Sequence, residues 1–289
     1  MKKARLTIVI VFIAFLVLIS GGSILMKDRK FSPNENRYLA EPPKLSVDNI
    51  LSGKFQDGLE DYLRDQICFR DEWITIKTGI QKACGDTDIG GAYVGKDGYD
   101  FEKITPEDVD DKLAARNMKA VKEYFEDASE TIDKARLSFL LVPTSGLIMQ
   151  DKLPKNARLF DQASYIDQVH QVGDDIDAPG VHQVQSAVSD YNFIDARDVL
   201  SSHADQYIYY KTDHHWTSDG AYYAYEKWCE DTGHEAAPLD ALEKTVESDK
   251  FRGSLYSKIL DAGSAYDEIW TYGPKDGAPF GSENCLVTM

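Results

Sequence analysis

Three basic residues, Lys2, Lys3 and Arg5, precede an apolar run from Leu6 to Met26 that only small or hydroxyl-bearing residues interrupt. A helix of about 20 apolar residues crosses the hydrocarbon core of a bilayer. The basic flank lies before the run, which predicts a cytoplasmic N-terminus and a body on the far side. Residues 1–27 are therefore expected to form a single-pass signal anchor in the cell membrane, with the body extracytoplasmic. A cleaved signal peptide, with Ser20-Gly21-Gly22 as its small-residue site, is the alternative and leaves the body secreted. Residues 28–50 are polar, contain Pro33, Pro42 and Pro43, and read as a juxtamembrane linker. Leu59, Leu63, Ile67, Trp73, Ile76 and Ile80 then recur at helical spacing and predict a long helix from Phe55 to Ile80, continuous or interrupted. Lys96-Asp97-Gly98 is the turn of a hairpin. Residues 51–100 thus form an N-terminal helical segment with a hairpin.

From residue 101 the pattern alternates. Thr105-Pro106-Glu107-Asp108 is a helix start, with Val109, Leu113, Val121, Phe125 and Ile132 following at helical spacing. The run Leu137-Ser138-Phe139-Leu140-Leu141-Val142 reads as a buried strand, 161–173 as a helix, and Asn192-Phe193-Ile194-Asp195 as a second strand. Tyr207-Ile208-Tyr209-Tyr210 reads as extended, and a helix capped by Thr217 or Ser218 runs to Gly233. Glu268-Ile269-Trp270-Thr271-Tyr272 reads as one more strand. This alternation predicts an α/β domain over 101–289.

Charge and cysteines narrow the classes. A formal charge of −17 excludes a nucleic-acid partner, since phosphate binding needs clustered Lys and Arg. It also disfavours broad binding of an acidic polysaccharide, although Lys211, Arg252 and Lys258 offer local grips. Cys68 and Cys84 flank or share one helix, which sets them about 24 Å apart, and neither Cys229 nor Cys285 has an evident partner, so no essential disulfide is expected.

The chemistry concentrates in Thr212-Asp213-His214-His215-Trp216-Thr217. In an extended segment, residues two apart face the same side, so Asp213 and His215 can meet. An Asp that orients a His is half of a nucleophilic hydrolase or acyltransferase site. A metal is the competing use of Asp213, His214 and His215, but one short cluster supplies too few ligands, and no metal or other cofactor is expected. His214 is expected to point away from its neighbours. Ser145 follows the apolar run 137–142 and leads the substitute nucleophiles, although Val-Pro-Thr-Ser-Gly is not a nucleophile elbow; Ser218 reads as a cap, and Ser254 and Ser257 as loop or substrate-side residues. Tyr209, Tyr210, Lys211 and Trp216 are the candidate substrate contacts, with core packing as the competing role of the aromatic rings.

The string YYKTDHHWTSDGAYYAY resembles the signature of the DHHW proteins, and FSPNENRYLAEPPKLS, LLVPTSGLIMQDKLP and FRGSLYSK agree with it. These are relatives of the SGNH-hydrolase-like proteins that O-acetylate alginate and other exopolysaccharides. The resemblance implies a three-layer SGNH-like sheet with helices. It implies that Asp213 is the orienting acid and His215 the general base, with the serine in a later Gly-Asp-Ser turn. The chain contains no Gly-Asp-Ser, so the domain is expected to be C-terminally incomplete and to have little or no acetylesterase activity. The implied partners are a polysaccharide acceptor and an acetyl donor, supplied by a membrane-bound acyltransferase. A membrane-anchored polysaccharide- or wall-binding protein without catalysis is the alternative.

The anchor reading has a direct test. Protease added to spheroplasts is expected to remove the body, and its protection would reverse the assigned orientation.

Overall fold

The structure is a computed structural model that describes residues 2–170 and 190–275. The end of the helix expected over 161–173, the polar tail and Cys285 lie outside the described residues. The chain mixes helix and sheet and divides into two compact units, residues 1–89 with 256–263, and residues 90–255 with 264–289.

The first unit opens with α1 (Lys2–Leu25), whose segment Arg5–Leu25 is long and apolar enough to cross a membrane. The stretch read as a linker is built instead. It holds a two-residue antiparallel pair, β1 (Phe31–Ser32) with β2 (Arg37–Tyr38), and then α2 (Val47–Leu51). Ser32 and Leu39 are buried. Its polar residues find partners on the next helices. Arg37 donates twice to Asp65, at 2.8 and 2.6 Å, and Ala40 N–H adds a third bond. Arg37 thereby holds the Asp65 carboxyl down to about 2. Arg70 grips Glu35 at 2.7 and 3.0 Å. Sequence periodicity could not register these charge pairs, so the segment read as linker.

The long helix is interrupted, and forms α3 (Lys54–Gln66) and α4 (Arg70–Ala83). Ile67 is extended and Phe69 has φ +57°, so the chain turns between them. Apolar spacing carries through this break and hides it. Cys68 sits buried in the turn, and Cys68, Cys84 and Cys229 are free thiols. A short strand, β3 (Asp88–Ile89), follows. Thr78 on α4 donates to Ile259 O at 2.6 Å, which ties the returning segment 256–263 to this unit.

The second unit begins with the expected hairpin, β4 (Ala92–Val94) and β5 (Asp100–Glu102). Asp97 and Gly98 both have positive φ, +57° and +80°, as a tight hairpin turn requires. The boundary between units therefore falls before this hairpin and not after residue 100. The Thr-Pro start yields only one turn of 3₁₀ helix at Pro106–Asp108, because Val109 is extended. The long helix α5 (Asp111–Ser129) starts afresh from the cap Asp110.

The α/β character rests on β6 (Ser138–Leu141) and β7 (Asn192–Asp195), which pair in parallel with Phe139 opposite Phe193. Their rings stack at 5.9 Å, and Phe125 of α5 packs on Phe139. Short helices α6 (Ser145–Ile148), α7 (Gln162–His170) and α8 (Arg197–Ser201) follow these strands. Next come α9 (Ser218–Thr232), β8 (Leu242–Phe251), α10 (Ser254–Ile259) and β9 (Asp267–Pro274). β8 and β9 pair antiparallel, Leu242 to Pro274 through Phe251 to Asp267. Strand β8 had no sequence signal because its residues are charged and exposed. Among the described residues the strands form four sheets of two or three strands, so the three-layer central sheet is not reproduced there.

The core of the second unit gathers Tyr93, Phe101, Met149, Leu200, Ile208, Tyr209 and Ala224. It draws on the hairpin, α6, α8, the motif segment and α9. Burying aromatic and aliphatic side chains of this size contributes about 1.5–3 kcal/mol each. The motif segment is thus rooted in the core at its base.

Candidate functional site

The aromatic stretch before the motif is not a regular strand. Tyr209 and Trp216 form an isolated antiparallel bridge. Tyr210 N–H donates to His215 O at 3.1 Å and Thr217 N–H to Ile208 O at 2.9 Å. The motif is therefore the tip of a narrow loop that closes on itself and runs straight into α9. Thr217 caps that helix as expected, accepting from Gly220 N–H, and Gly233 ends it in the left-handed region. Gly220 is required by space, because a Cβ there would lie 2.4 Å from Ile208 O.

At the tip, Asp213 Oδ1 lies 2.5 Å from His215 Nδ1 and also accepts His215 N–H at 3.0 Å. Its other oxygen accepts Ser254 N–H at 2.7 Å. Asp213 is 5% exposed, whereas the His215 side chain is 60% exposed. The acid is thus fixed and the ring beyond it open to solvent. Burial pushes the Asp213 carboxyl up, but the N–H groups of Ser254 and His215, the His215 ring and the Ser254 hydroxyl outweigh it and leave the group below its usual range. Gly253 makes this closeness possible, since a Cβ there would fall 2.3 Å from Asp213 Cβ.

The backbone beneath is held by one carboxylate. Asp267, 1% exposed, accepts Lys211 N–H at 2.9 Å, Thr212 N–H at 2.8 Å and Thr212 Oγ1–H at 2.5 Å, and it is bonded by the Tyr207 hydroxyl as well. Thr212 Oγ1 in turn accepts Gly253 N–H at 3.0 Å, and Thr212 O accepts Leu255 N–H at 3.0 Å. Strand β9 also secures α9. Trp270 Nε1–H and the Tyr272 hydroxyl both donate to Asp219, and Ser218 Oγ–H donates to Trp270 O.

The structure brings some of the anticipated residues together and separates others. Asp213 and His215 meet. Ser145 is buried at the start of α6, and no hydrogen bond joins it to Asp213 or His215 among the described residues. Tyr209 is 1% exposed and donates to Pro143 O at 2.7 Å, so it presents no open face to a sugar. Tyr210 is buried edge-on against Tyr207 and Phe251. Trp216 packs on the core. For these three rings packing prevails over stacking on a substrate. Lys211 reaches over the Tyr99 ring at 5.5 Å and lines a cleft.

His214 does not point away from its neighbours. Its ring lies 3.9 Å from that of His215, and its Nδ1 meets Ser254 Oγ at 2.7 Å. One donor atom from each of Asp213, His214 and His215 lies within 4.8 Å of the others, a three-donor cluster of the kind a cation can use. The contact of 2.5 Å between Asp213 and His215 is a hydrogen-bond distance, closer than two ligands each about 2.0–2.2 Å from a metal stand to one another. Sequence reasoning places Ser254 in a loop or on the substrate side, and misses Gly253 and Asp267 as members of the site. The Gly-Ser pair lies within FRGSLYSK, whereas Asp267 carries no local signal.

Two outcomes are expected. Asp267→Asn places amide hydrogens against donors and leaves at least one buried donor unmet, at about 1–3 kcal/mol per group. Chemical denaturation should register that loss, and the downfield Nδ1 proton of His215 in an NMR spectrum should broaden or vanish. Unchanged stability and an unchanged proton would refute the supporting role of Asp267. The second outcome concerns pH. Because the folded carboxyl of Asp213 titrates below its unfolded value, its stabilisation is complete above the ordinary Asp range, near about 3.9, and is lost as the pH falls through the lower folded value. Asp213→Asn is expected to flatten the acid limb of a stability–pH curve, and an identical limb in both proteins would contradict the assignment.

Residues 189–280 match the family model described as DHHW protein. No curated protein matches the sequence. A DHHW family protein from Eubacterium siraeum DSM 15702 is similar in structure, with a TM-score of 0.47 and 20% identity over 64% of this chain and 55% of that one. The O-acetyltransferase domain of Pseudomonas putida AlgJ gives 0.45 and 20%, over 64% of this chain and 66% of that one. Bacillus cereus PatB1 gives 0.43 and 18%, over 63% and 58%. The chain thus spans between about half and two thirds of the length of these structures. The stretch that builds the site, from the motif through Gly253 and Ser254 to Asp267, is the part that matches the DHHW protein family.

Proposed function

We propose that Asp213 and His215 are the acid–base half of an O-acyltransferase or esterase site that acts on a cell-surface polysaccharide outside the cytoplasmic membrane. The observation that carries this reading is the 2.5 Å bond from Asp213 Oδ1 to His215 Nδ1, with the rest of the imidazole exposed. Asp213 fixes the tautomer in which Nδ1 bears hydrogen, which leaves Nε2 as an acceptor. Nε2 would take the proton of a serine hydroxyl as that oxygen attacks an acetyl carbonyl and the donor's leaving group departs with a proton. In the second half, Nε2 would take the proton of a sugar hydroxyl as it attacks the acyl-serine, and the serine would leave with that proton restored. Water in place of the sugar makes the same site an esterase.

The glycan is supported by a cleft of about 540 Å³ beside the motif. Tyr99, Tyr207, Tyr266 and Trp270 line it with Lys152, Lys211 and Lys244. Tyr266, which is exposed, offers a ring to the apolar face of a sugar, and the lysines and neighbouring acids meet hydroxyls. The acetyl group would come from a membrane-bound acyltransferase, which fits a chain whose apolar N-terminal helix keeps it at the membrane.

One observation favours a second reading. Ser254 is the serine hydroxyl held at the motif, and it is bonded to His214; among the described residues no serine is bonded to His215. A protein that binds polysaccharide through the cleft and performs no chemistry accommodates this.

Hydrolysis of a chromogenic acetyl ester separates the readings. Acyl transfer predicts a rate that His215→Ala lowers by about 10²–10⁴-fold and that Ser145→Ala leaves unchanged. The binding reading predicts that wild type and His215→Ala are equally inert, while glycan retention falls in Tyr266→Ala. A rate abolished by Ser145→Ala would make Ser145 the nucleophile and overturn the separation of Ser145 from the site.

A further inference from the structure

Helix α4 has two unlike sides. Thr78 faces inward, buried and bonded to Ile259 O. Phe69, Trp73, Ile76 and Ile80 fall on the other side at helical spacing, and all are exposed, from 40% at Trp73 to 60% at Ile80. No soluble unit gains from presenting such a stripe to water.

The neighbour of the stripe is α1. Phe15 meets Trp73 edge-on, with ring centres 5.9 Å apart. Cys68 N–H donates to Ser23 Oγ at 3.0 Å, and Cys68 Sγ lies against Gly22, where a Cβ would come within 3.1 Å of it. Helix α1 is therefore not a free stalk, since it rests on the first unit from Phe15 to Ser23. Only residues 2–14 extend beyond that contact. They make about 20 Å of helix at roughly 1.5 Å per residue, short of a hydrocarbon core about 30 Å thick. For α1 to span, the stretch in contact with Trp73 must lie at hydrocarbon depth, and the stripe beside it with it.

Several polar groups nearby are already paired, while Glu72 and Lys77 beside the stripe are exposed and can turn toward the headgroups. The Trp73 indole N–H donates to Cys68 O at 3.1 Å, so it brings no open donor into lipid. Arg29 pairs with Asp71 and Arg70 with Glu35, which lowers the cost of holding these charges next to the membrane.

We propose that α4 is a membrane-immersed helix whose Phe69, Trp73, Ile76 and Ile80 stripe sits in the outer leaflet alongside α1, seating the first unit in the bilayer. The proposal rests on the reading of α1 as a retained anchor.

The test uses the full chain reconstituted in phosphatidylcholine vesicles with brominated acyl chains. The chain has four tryptophans. Brominated lipid is expected to remove up to about a quarter of the emission, the share of one indole in four, and to remove none of it from Trp73→Phe. The double variant Trp73→Phe, Ile80→Trp should regain quenching, which guards against a local effect of the first substitution. Equal quenching of wild type and Trp73→Phe, or none in either, overturns the proposal. Alkaline extraction separates the two levels. A chain that washes off the vesicles overturns the anchor reading and this proposal together, whereas a chain that stays bound with Trp73 unquenched overturns the proposal alone. A dimer cross-linked through Ile76→Cys, with Trp73 shielded from bromine, would assign the stripe to a second copy and also overturn it.

Discussion

The buried carboxylate of Asp267 is the point on which the motif loop hangs. Its two oxygens meet four donors, two backbone N–H groups and two hydroxyls, and all four lie between Tyr207 and Thr212. A neutral side chain of the same size offers fewer acceptor sites. The next layer follows from this one. With Thr212 fixed, its hydroxyl and carbonyl receive Gly253 and Leu255, and Ser254 is thereby set to receive Asp213. The acid of the acid–base pair is thus positioned by another acid through two peptide segments. Neither carboxylate works if the other's donors are misplaced, because each lies in a site that excludes water.

The two sides of the Asp213–His215 pair differ in kind. Everything around Asp213 is packed or hydrogen-bonded, down to the missing side chain at Gly253. The His215 ring has one hydrogen-bond partner, the His214 ring beside it, and then solvent. A rigid acid beneath a reachable base is what a proton carrier needs, since the carrier must touch its substrate while its orientation is set from behind.

Much of this was legible in the residues, and the failures share a cause. The two-residue spacing of Asp213 and His215, the cap at Thr217, the stop at Gly233, the turn at Asp97-Gly98 and the strands that became β6 and β7 all follow from local rules, and all occur. The errors arise where a long-range partner decides. The segment 28–50 read as a linker because its stabilising charges pair with residues of α3 and α4. Tyr209 and Tyr210 read as possible sugar platforms because their burial depends on Pro143 and Phe251. His214 was expected to turn away, since the Ser254 hydroxyl that holds it is 40 positions distant. Asp267 gave no sign at all, because a lone Asp at the head of a strand looks like any surface acid until its donors arrive from elsewhere.

The distance along the chain between Thr212 and Asp267 also has a meaning in time. Fifty-five positions separate them. A chain made from its N-terminus presents the motif well before the residue that fastens it. During that interval the loop has its core anchors at Ile208 and Tyr209 but not its fastening, and closing a loop of that length carries an entropic cost of roughly 3.5 kcal/mol. The acid–base pair is therefore a late product of biogenesis. It is assembled only after the hairpin, α8, α9 and β9 have emerged, so the geometry of the motif is completed last.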